Sequence, residues 1–233
     1  MTDFATAVSQ LRDRLTGTVF QPGDEGYDPA RMPWNVTFAA QLPALVVMAA
    51  NAGDIAAAVN FANEQDLGIG VQATGHGVIQ LPNDALLINT AEMKNVSIDP
   101  DAKTAYVEAG AEWGDVLGPA QEAGLAPLLG SSPGVGAVGY TLGGGMGWLV
   151  RKYGLAADHV RYFDVVTADG RQRRASADEN SDLFWGLCGG RSTFAVVTGM
   201  EIDLFPVTMV YGGNLIYPAP LARSILERYR QWI

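Results

Sequence analysis

Gly130-Ser-Ser-Pro-Gly-Val-Gly-Ala-Val-Gly-Tyr-Thr-Leu-Gly-Gly-Gly-Met-Gly-Trp-Leu149 is the densest run of glycine in the chain, with eight glycines between positions 130 and 147. Glycine weakens helices and strands, so such a run needs a local purpose. Two purposes fit: main chain held close to a flat, extended ligand, or a tight crossover packed on a sheet. The run also contains G-x-G-x-x-G at Gly134, Gly136 and Gly139, with Asp158 nineteen residues further on. That spacing invites a nicotinamide-dinucleotide reading. The frame for it is missing. Pro127 and Pro133 stand where a β-branched strand should lead in, and Gly143-Gly-Gly breaks a long following helix.

A second glycine-flanked loop, Gln72-Ala-Thr-Gly-His-Gly77, follows an apolar segment. Gly75 and Gly77 allow positive φ and close approach of backbone. Successive loop N–H groups can form a nest for phosphate oxygens without any lysine. His76 beside such a nest can be a base, a ligand or a nucleophile, or a turn histidine that only bonds backbone. A metal set is not expected, because the only other histidine is His159 and the only cysteine is Cys188.

Around these loops the pattern is mixed α and β. Apolar spacing predicts an N-terminal helix over 2–16, ended by Gly17, then a turn-rich connector from Gln21. Residues 44–49 read as a strand, Asp54 as the cap of a helix, and 68–73 and 85–89 as further strands. The second half predicts a strand at 104–109, a helix at 113–123, and a strand at 160–168. Asp169-Gly170 turns into a return strand at 171–175, followed by a helix at 178–187 and a strand at 194–204. Residues 208–217 read as a new strand and 219–232 as a helix. The expected division is 1–37 as helix and connector, 38–206 as one domain with lobes at 38–98 and 99–206, and 207–233 as the start of another.

Composition bounds the class. Of 233 residues, 48% are hydrophobic and 17% charged, which excludes a disordered chain. The net charge of −10 argues against a nucleic-acid partner. No apolar run is long enough for a membrane span and no signal-like leader precedes the first helix, so a cytoplasmic protein is expected.

The two glycine loops together resemble the FAD-linked oxidases of the vanillyl-alcohol-oxidase type, and among them the berberine-bridge-enzyme-like group with a PCMH-type FAD-binding domain. The resemblance rests on Val71-Gln-Ala-Thr-Gly-His-Gly77, on residues 139–158, and on Ser181-Asp-Leu-Phe-Trp-Gly-Leu187. It implies an α+β fold of two lobes, one a small α/β unit and one a larger mixed or antiparallel sheet with helices. It implies that Ala73, Thr74, Gly75, His76 and Gly77 wrap the FAD diphosphate. His76 would carry a covalent bond to the flavin. Some relatives add a cysteinyl bond eleven residues before the triple glycine; here that position is Ser132, so at most one bond is expected. Ser131, Ser132, Gly136, Gly139, Tyr140, Thr141, Gly143, Gly144, Gly147 and Val197 would complete the cofactor site.

The implied activity is hydride transfer from a small organic substrate to FAD, with reoxidation by dioxygen. A degenerate, non-catalytic flavin-binding domain is the alternative, ahead of a nicotinamide-dependent dehydrogenase. Such oxidases are about twice this length, so the substrate domain is expected to be truncated, no catalytic base can be named, and a partner chain or second copy is expected over the open side. One local departure stands out. The family commonly has glycines where Arg191, Ser192 and Ala195 stand. Any of these at positive φ would be strained, although an arginine there can also pair with a phosphate.

Overall fold

A computed structural model describes residues 3–38, 40–78 and 80–233. Helix α1 (Phe4–Arg14) begins at Asp3, whose carboxylate accepts the Thr6 N–H, and it buries Ala7, Val8 and Leu11. After β1 (Thr18–Phe20) and α2 (Tyr27–Arg31) comes an α/β unit: β2 (Leu45–Met48), α3 (Ala52–Glu64), β3 (Ile69–Gln72) and β4 (Leu86–Asn89). The sheet runs β1-β2-β4-β3, with β1 antiparallel and the other pairings parallel. The central strands β2 and β4 are buried almost throughout, which explains why their sequences are continuous apolar runs without alternation. β3 lies at the edge, and its carboxyl end opens into the His76 loop.

The second sheet is antiparallel, in the order β5 (Val96–Asp99), β6 (Thr104–Glu108), β9 (Val196–Asp203), β7 (Val160–Val166) and β8 (Gln172–Ser176). Helices α4 (Trp113–Glu122), α5 (Ala137–Leu142) and α7 (Ser181–Gly190) close its core, where Trp113, Phe163, Leu187 and Met200 are fully buried; the short α6 (Val150–Tyr153) lies between α5 and β7. The two lobes meet directly. Val166 and Val196 join the core of the first lobe, and Asn63 Nδ2 donates to Ala168 O at 2.7 Å.

β1 pairs with β2 and α1 packs on α3, so residues 3–31 build onto the first lobe. β5 belongs to the second sheet. Two expectations change. Asn51 caps α3, by accepting the Asp54 N–H at 3.0 Å. Asp54 acts elsewhere, and its buried carboxylate accepts the N–H groups of Thr16, Gly17 and Ala50, each at 2.9 Å. Residues 208–217 form no strand; no neighbouring strand pairs with them among the described residues, and a strand without a ladder does not persist. A 3-10 turn (Ala219–Leu221) then leads into α8 (Ala222–Trp232), which buries none of its side chains.

Candidate functional site

The His76 loop leaves the carboxyl end of β3, where open parallel sheets place their ligand crevices. Its shape is fixed from outside by Met32, Pro33, Trp34 and Gln41. Gly75 has φ 75°, and a Cβ there would lie 2.6 Å from Pro33 Cα. The Trp34 N–H donates to Thr74 O at 2.9 Å. At the end of β3, Gln72 accepts from Gln41 Nε2 at 3.0 Å and donates to Met32 O at 3.2 Å, while Gln41 also donates to Arg31 O. The imidazole of His76 is held on two sides. Its Nδ1 lies 2.8 Å from Thr74 Oγ1, and its ring stacks on Trp34 with centroids 4.2 Å apart and planes 16° from parallel.

The opposite wall is the glycine run. Residues 133–137 are pinned beside the start of α4: Trp113 N–H donates to Val135 O, Gly114 N–H to Pro133 O, and Ala137 N–H to Ala111 O. α5 then begins after Gly136 and stops at Gly143, a helix of six residues. This arrangement disposes of the nicotinamide fingerprint. Only an isolated bridge, Glu112 to Gly136, precedes the short helix, and Asp158 is used locally, accepting the Leu155 N–H at 2.9 Å.

Between the two walls lies a cleft of about 520 Å³. It brings together Ala73, Thr74, Gly75, His76, Gly77, Gly136, Gly139, Tyr140 and Gly143 from the sequence-based set. The other six lie outside its lining. Ser131 and Ser132 are exposed on the approach to α5. Thr141 is fully buried and donates its hydroxyl to Ala137 O at 2.9 Å. Gly144 is buried at φ 98°, Gly147 faces the Leu129 carbonyl, and Val197 sits in the core of the second sheet. Gln41 and Arg191 line the cleft, and Trp34 backs it through His76. Nothing in the sequence marks Gln41 or Trp34, because both fall in a segment without periodicity or a recognisable turn signal.

The glycines divide into two kinds. Gly130, Gly145 and Gly147 serve the protein itself, since a Cβ on each would press on the Tyr140 side chain at about 3 Å or less, and at Gly147 on Leu129 O as well. They make the slot in which the Tyr140 ring meets Trp113 edge-on, with centroids 5.5 Å apart. The Tyr140 hydroxyl is buried there without a hydrogen-bond partner among the described residues, and burial raises its pKa. Gly77, Gly139 and Gly143 are different. None has positive φ, and a Cβ would meet nothing closer than Arg191 Nη1 at 3.4 Å, nothing within 4 Å, and the Tyr140 carbonyl at 3.5 Å, respectively. No neighbour in the protein requires these three to be glycine. Their missing side chains keep the cleft open, so the walls fit a large planar group and a diphosphate lying against bare main chain.

The remaining chemistry is sparse. No aspartate or glutamate is among the described lining residues, and no cluster of metal-ligating side chains occurs among the described residues. His159 has a structural place, with Nε2 2.5 Å from Tyr153 O and its ring edge-on to Phe205. Burial pushes the Cys188 thiol above its usual pKa, away from a reactive thiolate. No helix of the described residues is long and apolar enough to cross a membrane.

Comparison with known proteins supplies the family. The FAD binding domain family matches residues 43–176. An FAD-linked oxidoreductase of Dictyostelium discoideum is 34% identical over 220 residues, covering 94% of this chain and 48% of that protein. The crystal structure of 6-hydroxy-D-nicotine oxidase from Arthrobacter nicotinovorans superimposes with a TM-score of 0.78 at 34% identity, over 82% of this chain and 42% of that one. Glucooligosaccharide oxidase from Acremonium strictum, described with a 6-S-cysteinyl, 8α-N1-histidyl FAD, gives 0.77 at 29% identity, over 85% of this chain and 42% of that one. The chain thus spans about half the length of the relatives it matches. With a cleft of the right shape and the family profile lying across both of its walls, this chain belongs to the FAD-binding-domain family of FAD-linked oxidoreductases, in the vanillyl-alcohol-oxidase and berberine-bridge-enzyme-like group.

Proposed function

We propose that this chain is the flavin-carrying portion of an FAD-dependent oxidase, with FAD held between the His76 loop and the Gly136–Gly143 wall and joined covalently to His76. The observation that carries this reading is the set of three glycines, Gly77, Gly139 and Gly143, that the protein's own packing leaves unexplained. When bound, FAD supplies a hydride acceptor that dioxygen can regenerate. The work of this chain is to bind and orient it. Loop N–H groups of residues 73–77 face the diphosphate. Thr74 and Trp34 fix the plane of the His76 imidazole, so that a ring nitrogen is presented for bond formation. A second, cysteinyl attachment is not expected, since Ser132 is exposed on the approach to α5 and the single cysteine lies elsewhere.

The substrate is a small organic molecule. A partner chain or second copy covers the apolar side chains of residues 207–233. The half-buried free thiol of Cys188 suits a cytoplasmic setting.

The direct experiment is acid precipitation of purified protein. Yellow flavin that stays in the pellet of wild type and moves to the supernatant in His76→Ala is the expected result. Acid-stable flavin in the His76→Ala protein overturns the attachment point, and protein that takes up no FAD overturns the whole reading.

A further inference from the structure

At the mouth of the cleft the backbone is under strain. α7 loses helical geometry at Cys188 and Gly189, and the chain then passes through Arg191 at φ 60°, ψ −155°. That region is essentially reserved for glycine, and such outliers cluster where function over-determines the backbone. Of the three positions flagged in the sequence as departures from glycine, only Arg191 is among the described residues with positive φ. Its guanidinium reaches back across the cleft: Nη1 lies 3.5 Å from Gly77 O, and Nε lies 3.9 Å from where a Cβ on Gly143 would be. It therefore stands between the two walls, beside two of the three open glycines.

Its charge has no ion-pair partner among the described residues. The long contact to Gly77 O is its only hydrogen bond among the described residues, and no carboxylate is among the described residues lining the cleft. It is also the only lysine or arginine among the described lining residues, in a chain of net charge −10. A diphosphate approaching this acidic protein meets its one cleft-lining cation here. Guanidinium is suited to such a ligand, because its planar fork can bond two phosphate oxygens at once.

We propose that Arg191 is an anion-binding residue of the cleft that pairs with the diphosphate of the dinucleotide, supplementing the backbone nest with the charge that nest lacks. This rests on FAD occupying the cleft and adds to it one charged side chain. A strained arginine retained only by packing would gain nothing from phosphate. One that serves the ligand costs stability in the free protein and returns it on binding.

The test uses the 233-residue chain with His76→Ala, stripped of flavin, so that binding is reversible. FAD and riboflavin, which lacks phosphate, are titrated by flavin fluorescence at low salt. Arg191→Ala and Arg191→Gly are expected to weaken FAD about 10-fold or more while riboflavin changes less than about twofold, and Arg191→Lys to fall between. Arg191→Gly is also expected to raise the melting temperature of the free protein by a few degrees, the opposite sign to its effect on FAD. Unchanged or tighter FAD binding by Arg191→Gly, or equal losses for FAD and riboflavin, overturns the proposal alone. A parent protein that binds neither flavin overturns it together with the cofactor reading.

Discussion

His76 is the residue on which the most chemistry converges, yet its neighbours decide what it can do. Thr74 fixes one ring nitrogen at 2.8 Å, and Trp34 covers one ring face while remaining 67% exposed. So exposed an indole adds little to the core; its contribution is to hold the imidazole. Trp34→Ala is expected to leave the melting temperature within about 1–2 °C and to slow acid-stable flavin incorporation about 2–10-fold, the worth of one aromatic stack. Trp34→Phe should restore most of the rate. An unchanged rate in Trp34→Ala contradicts this role. The His76 loop stood out in the sequence because two glycines flank a histidine directly after a strand, and it lines the cleft. Trp34 did not, because its partner lies 42 positions away and nothing in the intervening sequence marks the contact.

Among the elements, strands and helices with strong apolar patterning stand close to where the sequence puts them: β2, β4, β6 and β9 within a residue or two, and α4 within one. Three kinds of element were not legible. β1 and β5 are short, and their identity comes from the strands they pair with, β2 and β6. α5 survives inside the glycine run because Ala137 to Leu142 can pack Val138 and Leu142 into the core before Gly143 stops it. The apparent strand at 208–217 had the composition but pairs with no strand among the described residues. Asp54 shows how a signal can be correct in kind and wrong in target. It does cap backbone N–H groups, but those of Thr16, Gly17 and Ala50, tying the end of α1 to the end of β2. Asp54→Ala is expected to lower unfolding stability by about 2–4 kcal/mol in urea titration, since three donors lose a charged acceptor. Asp54→Asn should recover part of this, and a loss below about 0.5 kcal/mol would show that water replaces the carboxylate.

Taken whole, the molecule is two lobes facing each other across a cleft whose walls come from segments about 60 residues apart, residues 73–77 and 136–143. Outside the cleft, Met209, Tyr211, Leu215, Ile216 and Trp232 each expose three-quarters or more of their surface, an apolar stretch that favours association. Sedimentation at rising concentration is expected to show self-association and the chain to bind a hydrophobic dye; a clean monomer that binds no dye contradicts this. Gly139 lies in the open wall of the cleft. A Cβ on it would meet nothing within 4 Å among the described residues, its position is exposed, and glycine inside a helix is unfavourable, so Gly139→Leu is expected to fold as stably as wild type. The decisive measurement is bound flavin per chain in purified Gly139→Leu, with its melting temperature as control: an intact fold that holds little or no FAD is expected, and wild-type flavin content in a stable Gly139→Leu protein would rule out FAD against this wall.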